Sequence, residues 1–284
     1  MHQSLKQTRD RIRSIENTKK VTSAMEMVSV AKLNRIDKMF YAIRPYCNGL
    51  KSVLDGLIAS EANIGNTFLE GKDKKDKFAL CLMTSDNGLC GLYNINVMRA
   101  AEDFINKKGK ANVKLITVGK KGFNYFSNRG MQILHAYTGL NGRYDQKVCG
   151  DVCDILKNLF LSKAVDEVYV VYNHSETGII YKADVEKFLN IETTYKKDVN
   201  YIYEPSFSSI LDSIVDKYII TKMKLIFLEA LTLEHSARSI AMRTATDNAK
   251  ELLEGLILLR NKVRQANITQ EILEIISSSE ALKG

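Results

Sequence analysis

Two prolines, Pro45 and Pro205, are all that the 284 residues contain, far below an average usage of about 5%. Proline stops helices because it lacks the backbone N–H and clashes with the preceding turn. Residues 46–204 and 206–284 therefore hold nothing that forces a helix to end. Long helices are permitted at both ends of the chain.

The first segment uses that freedom. Ile15, Thr18, Val21, Met25, Val28, Lys32, Ile36, Met39 and Ile43 recur at helical steps of three and four, the period of an amphipathic helix. Residues 3–59 read as one helix, about 85 Å long at ~1.5 Å per residue. Pro45 is expected to bend it or start a new helix, since an interior proline costs about 3 kcal/mol.

The far end mirrors it. Between residues 207 and 282 there is no proline and one glycine, Gly255. Met242, Ala245, Ala249, Leu252, Leu256, Leu259, Val263 and Ala266 alternate by three and four, the signature of a left-handed coiled-coil seam. The partner expected within the chain is the N-terminal helix, packed antiparallel. A homodimeric coiled coil is the alternative.

The middle has a different texture. Residues 72–77, KDKKDK, read as a charged linker. FALCLM (78–83), VKLITV (113–118) and EVYVVY (167–172) are short apolar runs of the kind buried in parallel sheets. Helical patterns fall at 94–108, 120–129 and 145–162, and 179–188 alternates like an edge or antiparallel strand. The expected fold is α/β: a small Rossmann-like domain over 72–200, carried on a long antiparallel coiled coil of helices 1–59 and 207–284.

Chemistry is hard to find. The loop TSDNGLCGLYN (84–94) follows a strand and precedes a helix, which invites a phosphate-binding reading. GLCG is not GxGxxG, and no GxxxxGK[ST] occurs. A tight turn and close strand–helix packing are the expected reasons for Gly88 and Gly91, and GKKG (119–122) is half a signal. His2, His135, His174 and His235 are scattered, with His235 read as a surface or seam residue. Cys47, Cys81, Cys90, Cys149 and Cys153 form no CxxC pair and no metal spacing, so buried, reduced thiols are expected. No catalytic group, cofactor site or metal site is expected.

The net charge of +8 is concentrated: residues 1–59 hold 11 Lys/Arg against 5 Asp/Glu, whereas the other segments nearly balance. Such a run is a solvated face or a footprint for an acidic partner. A nucleic-acid-binding coiled coil would interleave aromatics with the basic face, yet residues 1–39 contain none. No run of ~18–20 apolar residues suggests a membrane span, and the N-terminus lacks the apolar core of a secretory signal.

Residues 13–33, RSIENTKKVTSAMEMVSVAKL, resemble the N-terminal signature of ATP synthase gamma subunits. Residues 201–212 (YIYEPSFSSILD), 234–249 (EHSARSIAMRTATDNA) and above all 261–276 (NKVRQANITQEILEII) are similar to that family's last helix. SDNGLCGLYN resembles its SDRGLCGG-type loop, with Asn87 in place of the arginine and Leu92 in place of the second glycine. The ending SSSEALKG (277–284) departs from the family's glycine-alanine cluster. The resemblance implies a central rotor: terminal helices coiled inside a ring of three alpha and three beta subunits, and an α/β domain meeting the epsilon subunit and the c ring. Ion-driven rotation would then be coupled to ATP synthesis at sites on other subunits, with ATPase activity regulated through the same shaft. It also implies that Lys20 and Met25 lie near acidic beta-subunit loops, and that Arg264, Gln265, Thr269 and Glu271 contact the ring. The implied place is the cytoplasmic face of a cell inner membrane, as a peripheral protein. The lack of a cysteine-bearing insertion of the chloroplast kind points to a bacterial complex.

Overall fold

The computed structural model describes residues 5–60, 65–69, 76–175, 181–191, 204 and 206–281. Most of the charged run at 72–77, residues 201–203, Pro205 and the last three residues lie outside them. The chain divides into two compact units, one of Ser29–Arg238 and one of Met1–Val28 with Ser239–Gly284.

Helix α1 runs Leu5–Ser60 and helix α5 runs Phe207–Ala281. Pro45 stands inside α1 and starts no new helix. The reason is local. Pro45 and Tyr41, whose carbonyl loses its partner, are both exposed, so water can satisfy the freed oxygen. On the opposite side Cys47, Leu50 and Leu54 are buried. Burying one leucine fully contributes roughly 1.5–3 kcal/mol, so this face offsets the proline.

Between the helices come β1 (Phe78–Met83), α2 (Tyr93–Lys108), β2 (Val113–Val118), α3 (Lys120–Ser127), β3 (Ile133–Tyr137), α4 (Gln146–Leu161), β4 (Glu167–Ser175) and β5 (Tyr181–Leu189). The sheet order is β3-β2-β1-β4-β5. The first four strands are parallel and β5 closes one edge antiparallel to β4. Asp145 caps α4, its Oδ1 accepting from the N–H groups of Lys147 and Val148, a cap worth about 1 kcal/mol.

Side chains alternate across a strand, and β1 buries both faces. Ala79, Cys81 and Met83 join a core with α1, α4 and α5, built on Leu54, Leu156, Phe160, Ile219 and Met223. Phe78, Leu80 and Leu82 join a second core with Val97, Ala101 and Ile105 of α2 and Phe126 of α3. All five cysteines are free and buried. Burial pushes the Cys81 and Cys153 thiols up to about 12 and Cys149 to about 11, so they are inert apolar fillers.

Candidate functional site

Within the Ser29–Arg238 unit, the loop after β1 is fastened to α5. The Arg238 guanidinium donates to the carbonyls of Asn87 (3.0 Å) and Gly88 (3.3 Å) and pairs with Glu234 at 2.8 Å. Both side chains are almost wholly buried, 8% and 4% exposed. The loop therefore turns acceptors toward a cation, whereas phosphate binding needs converging N–H donors. The expected reason for Gly88 does not hold: its nearest contact would be the end of Lys121 at 3.7 Å. Gly91, with φ +57°, does need the freedom of a turn. Asn87, at the family's arginine position, reaches Asn141 Oδ1 through its amide at 3.3 Å. Leu92 is 62% exposed at the entry to α2.

His235 is not at the surface; it is 1% exposed. Its Nε2 lies 2.7 Å from the Gly142 carbonyl. A carbonyl only accepts, so Nε2 carries the proton, and Nδ1 is left to accept from Arg238 at 3.4 Å. Burial holds the His235 pKa down to about 4, with Arg238 and Lys32 adding repulsion and the Gly142 carbonyl opposing them. Burial also raises the Glu234 pKa, against the pull of Arg238.

The same cluster reaches α1. Lys32 donates to the Asn141 carbonyl at 2.8 Å. Asp86 accepts from the N–H groups of Lys120, Gly139 and Asn141. The cluster thus joins α1, the loop after β1, the 139–142 turn and α5. Sequence reasoning passed over it. The one legible trace was the Glu234–Arg238 spacing of i, i+4, an ion-pair distance on a helix.

The other unit holds all six residues expected to meet partners. Thr246 Oγ1 donates to Thr22 Oγ1 at 2.7 Å, and Arg243 pairs with Glu26 at 2.8 Å. Rising numbers on one helix meet falling numbers on the other, so the pairing is antiparallel. The buried or half-buried line on α5 is Met242, Thr246, Ala249, Leu253, Leu256, Arg260 and Val263. The expected seam is right at Met242, Ala249, Leu256 and Val263; Ala245 is also half-buried beside Thr246, while Leu252, Leu259 and Ala266 are exposed. Leu252 is 56% exposed, while Leu253 is 8%. Both lines alternate by three and four, so spacing alone could not choose. The Thr22–Thr246 hydroxyl pair fixes the choice.

Lys20 is exposed and Met25 half-buried. Counting from Thr22 back to Leu5, and as many residues forward from Thr246, ends at Val263. Beyond it, residues 264–279 are all exposed. Arg264, Gln265, Thr269 and Glu271 stand on that stretch, and Thr269 donates back to the Gln265 carbonyl. They interleave with Ile268, Ile272 and Ile276, each about half exposed. Exposed apolar side chains at this spacing form one apolar stripe along the helix.

Among the described residues no group of acids, histidines and cysteines could hold a metal, and no helix is long and apolar enough to cross a membrane. Fold and site define a class: a scaffold in which a small α/β domain stands in sequence between two long helices, one of which ends in an exposed stretch. A family model described as ATP synthase matches residues 4–282. The chain is 37% identical over 289 residues to the ATP synthase gamma chain of Chlorobium phaeobacteroides, covering 99% of both. It is 34% identical over 299 residues to that of Chloroherpeton thalassium, covering 99% of this chain and 98% of the relative. Among solved structures it is similar to a chain of the Euglena gracilis mitochondrial ATP synthase OSCP/F1/c-ring, with TM-score 0.64 and 16% identity over 98% of this chain and 94% of that one. The chain belongs to the ATP synthase gamma family, and as such it is a non-catalytic subunit.

Proposed function

We propose that the chain is the rotor of an ion-translocating ATP synthase, transmitting rotation of a c ring to catalytic sites on a ring of three alpha and three beta subunits. Membership of the gamma family supports the role. The observation that carries the contact assignment is the bare end of α5, where Arg264, Gln265, Thr269 and Glu271 stand exposed among isoleucines. Lys20 and Met25 serve the same ring from α1, while the epsilon subunit and the c ring meet the α/β domain. One asymmetric shaft cannot touch three like neighbours alike. It biases each toward a different conformation through differential contacts. The complex sits at the cytoplasmic face of a bacterial inner membrane, and the chain is peripheral to it.

Charge-assisted hydrogen bonds contribute about 1.5–3 kcal/mol each, and 1.4 kcal/mol is already about tenfold in an equilibrium constant. Arg264→Leu is therefore expected to lower ATP-hydrolysis turnover of the assembled complex several-fold, with the melting of the free chain unchanged. Unaltered turnover would remove Arg264 from the contact set.

A further inference from the structure

On the α/β unit, Lys32 and Arg35 stand one turn apart on α1 and face Arg143. With Ile36, Met39, Gly142 and Tyr144 they line a groove of about 510 Å³. Small-molecule sites run from about 300 to 1,000 Å³.

The segment that presents Arg143 is fixed. Asn141 and Gly142 have φ of 51° and 69°, and the Arg143 N–H returns to the Leu140 carbonyl at 3.0 Å, a turn with two left-handed central residues. It is pinned from three directions, by Asp86 at the Asn141 N–H, Lys32 at the Asn141 carbonyl and His235 at the Gly142 carbonyl. The pins fix the backbone that carries Arg143, so only its side chain has to be ordered on binding.

The groove carries an excess of positive charge. Neither the Arg35 nor the Arg143 guanidinium has a partner among the described residues. The nearby acids already have partners: Glu234 pairs with Arg238, both Asp86 oxygens accept from backbone N–H groups, and Asp145, which acts on Tyr144, caps α4 through Oδ1. The crowding registers on Lys32, whose pKa is lowered by burial first and then by Arg143 and Arg238, with Glu234 pulling the other way. One wall is apolar, with Ile36 4% exposed and Met39 and Tyr144 packed against the same small core.

We propose that this groove binds a small molecule carrying a diphosphate or longer phosphate chain, as in a nucleoside diphosphate. The forks of Arg35 and Arg143 grip phosphoryl oxygens, Lys32 adds a third charge, and Tyr144 and Met39 cover the apolar part. Guanidinium forks match phosphate geometry in a way that a point charge does not. The site is separate from the loop after β1, whose carbonyls face Arg238.

Calorimetry on the full chain with pyrophosphate and ADP as probes tests the assignment. Both should bind saturably, each weakened at least about tenfold by Arg35→Ala or Arg143→Ala, the loss expected for one charge-assisted contact. Tyr144→Leu should weaken ADP and spare pyrophosphate. Lys107→Ala, an exposed lysine of α2 outside the groove, should change nothing. Melting should be unmoved by the arginine variants, because both side chains are exposed. The proposal fails if neither probe saturates by millimolar concentration, or if Lys107→Ala weakens binding as much as the arginine variants. It fails too if hexaglutamate binds more tightly than either phosphate, for the groove would then be a surface for acidic protein.

Discussion

Gly142 shows how narrowly the interior cluster is drawn. Its φ is +69°, and a Cβ there would stand 2.5 Å from His235 Cε1. Strained backbone of this kind costs on the order of 1–3 kcal/mol per residue, and the histidine would also have to move. Gly142→Ala is expected to lower the melting temperature of the free chain accordingly. Arg238→Ala should cost more, about 3–5 kcal/mol, because it leaves Glu234 buried without its partner. The histidine makes the cluster sensitive to acid. His235 titrates near 6.5 when unfolded and near 4 when folded, so the unfolded state takes up the proton first. Its contribution is complete above pH 6.5 and is lost as pH falls toward 4, by at most about 3 kcal/mol. Melting scans across that window should show a shallower loss for His235→Gln than for the unaltered chain. Equal slopes would remove His235 from the acid response.

At the scale of elements, two nearly equal lines of residues compete along α5, and the structure chooses one. Leu253→Asp puts a charge into the pairing surface and should damage folding of the free chain. Leu252→Asp, on the exposed side, should leave melting almost unchanged. Equal damage from both would restore the line through Leu252. A Thr22→Cys, Thr246→Cys pair should cross-link within one chain, since the two hydroxyls already touch. A cross-link formed only between chains would revive the homodimer. The sequence showed this helix, its length and its period, because period and the absence of proline are local properties. Which residues meet a partner depends on the partner's own small side chains, and Thr22 carries no apolar signal. Strand β3 went unread for a similar reason. Of Ile133–Tyr137, the first and last residues are half-buried and the rest exposed, and His135 splits the apolar residues into two pairs, shorter than the runs that exposed β1, β2 and β4 to view. Its place at the sheet edge is set by pairing with β2, which no short window of sequence encodes.

For the molecule as a whole, most of what could be read was architecture, and the buried cluster was what could not. Arg238, Glu234, Lys32 and Asp86 come from three separate stretches of chain, and each looks like an ordinary surface charge until the fold gathers them. The expected partner residues were legible only through resemblance, since no periodicity singles out Gln265 from Gln270. Yet their stretch has a property of its own. Up to Val263 the last helix keeps a buried or half-buried line; from Arg264 to Ser279 every residue is exposed, its isoleucines included. A lone helix of this length is marginal in water, because its stability comes mainly from packing. Amide hydrogens of 264–281 should therefore exchange far faster in the free chain than those of 211–230, which lie against the sheet, and should slow on assembly. Protection already present in the free chain would show the tip to be self-sufficient. Otherwise part of the energy of enclosure goes into ordering this end, and the complex is held less tightly than its buried surface alone would allow.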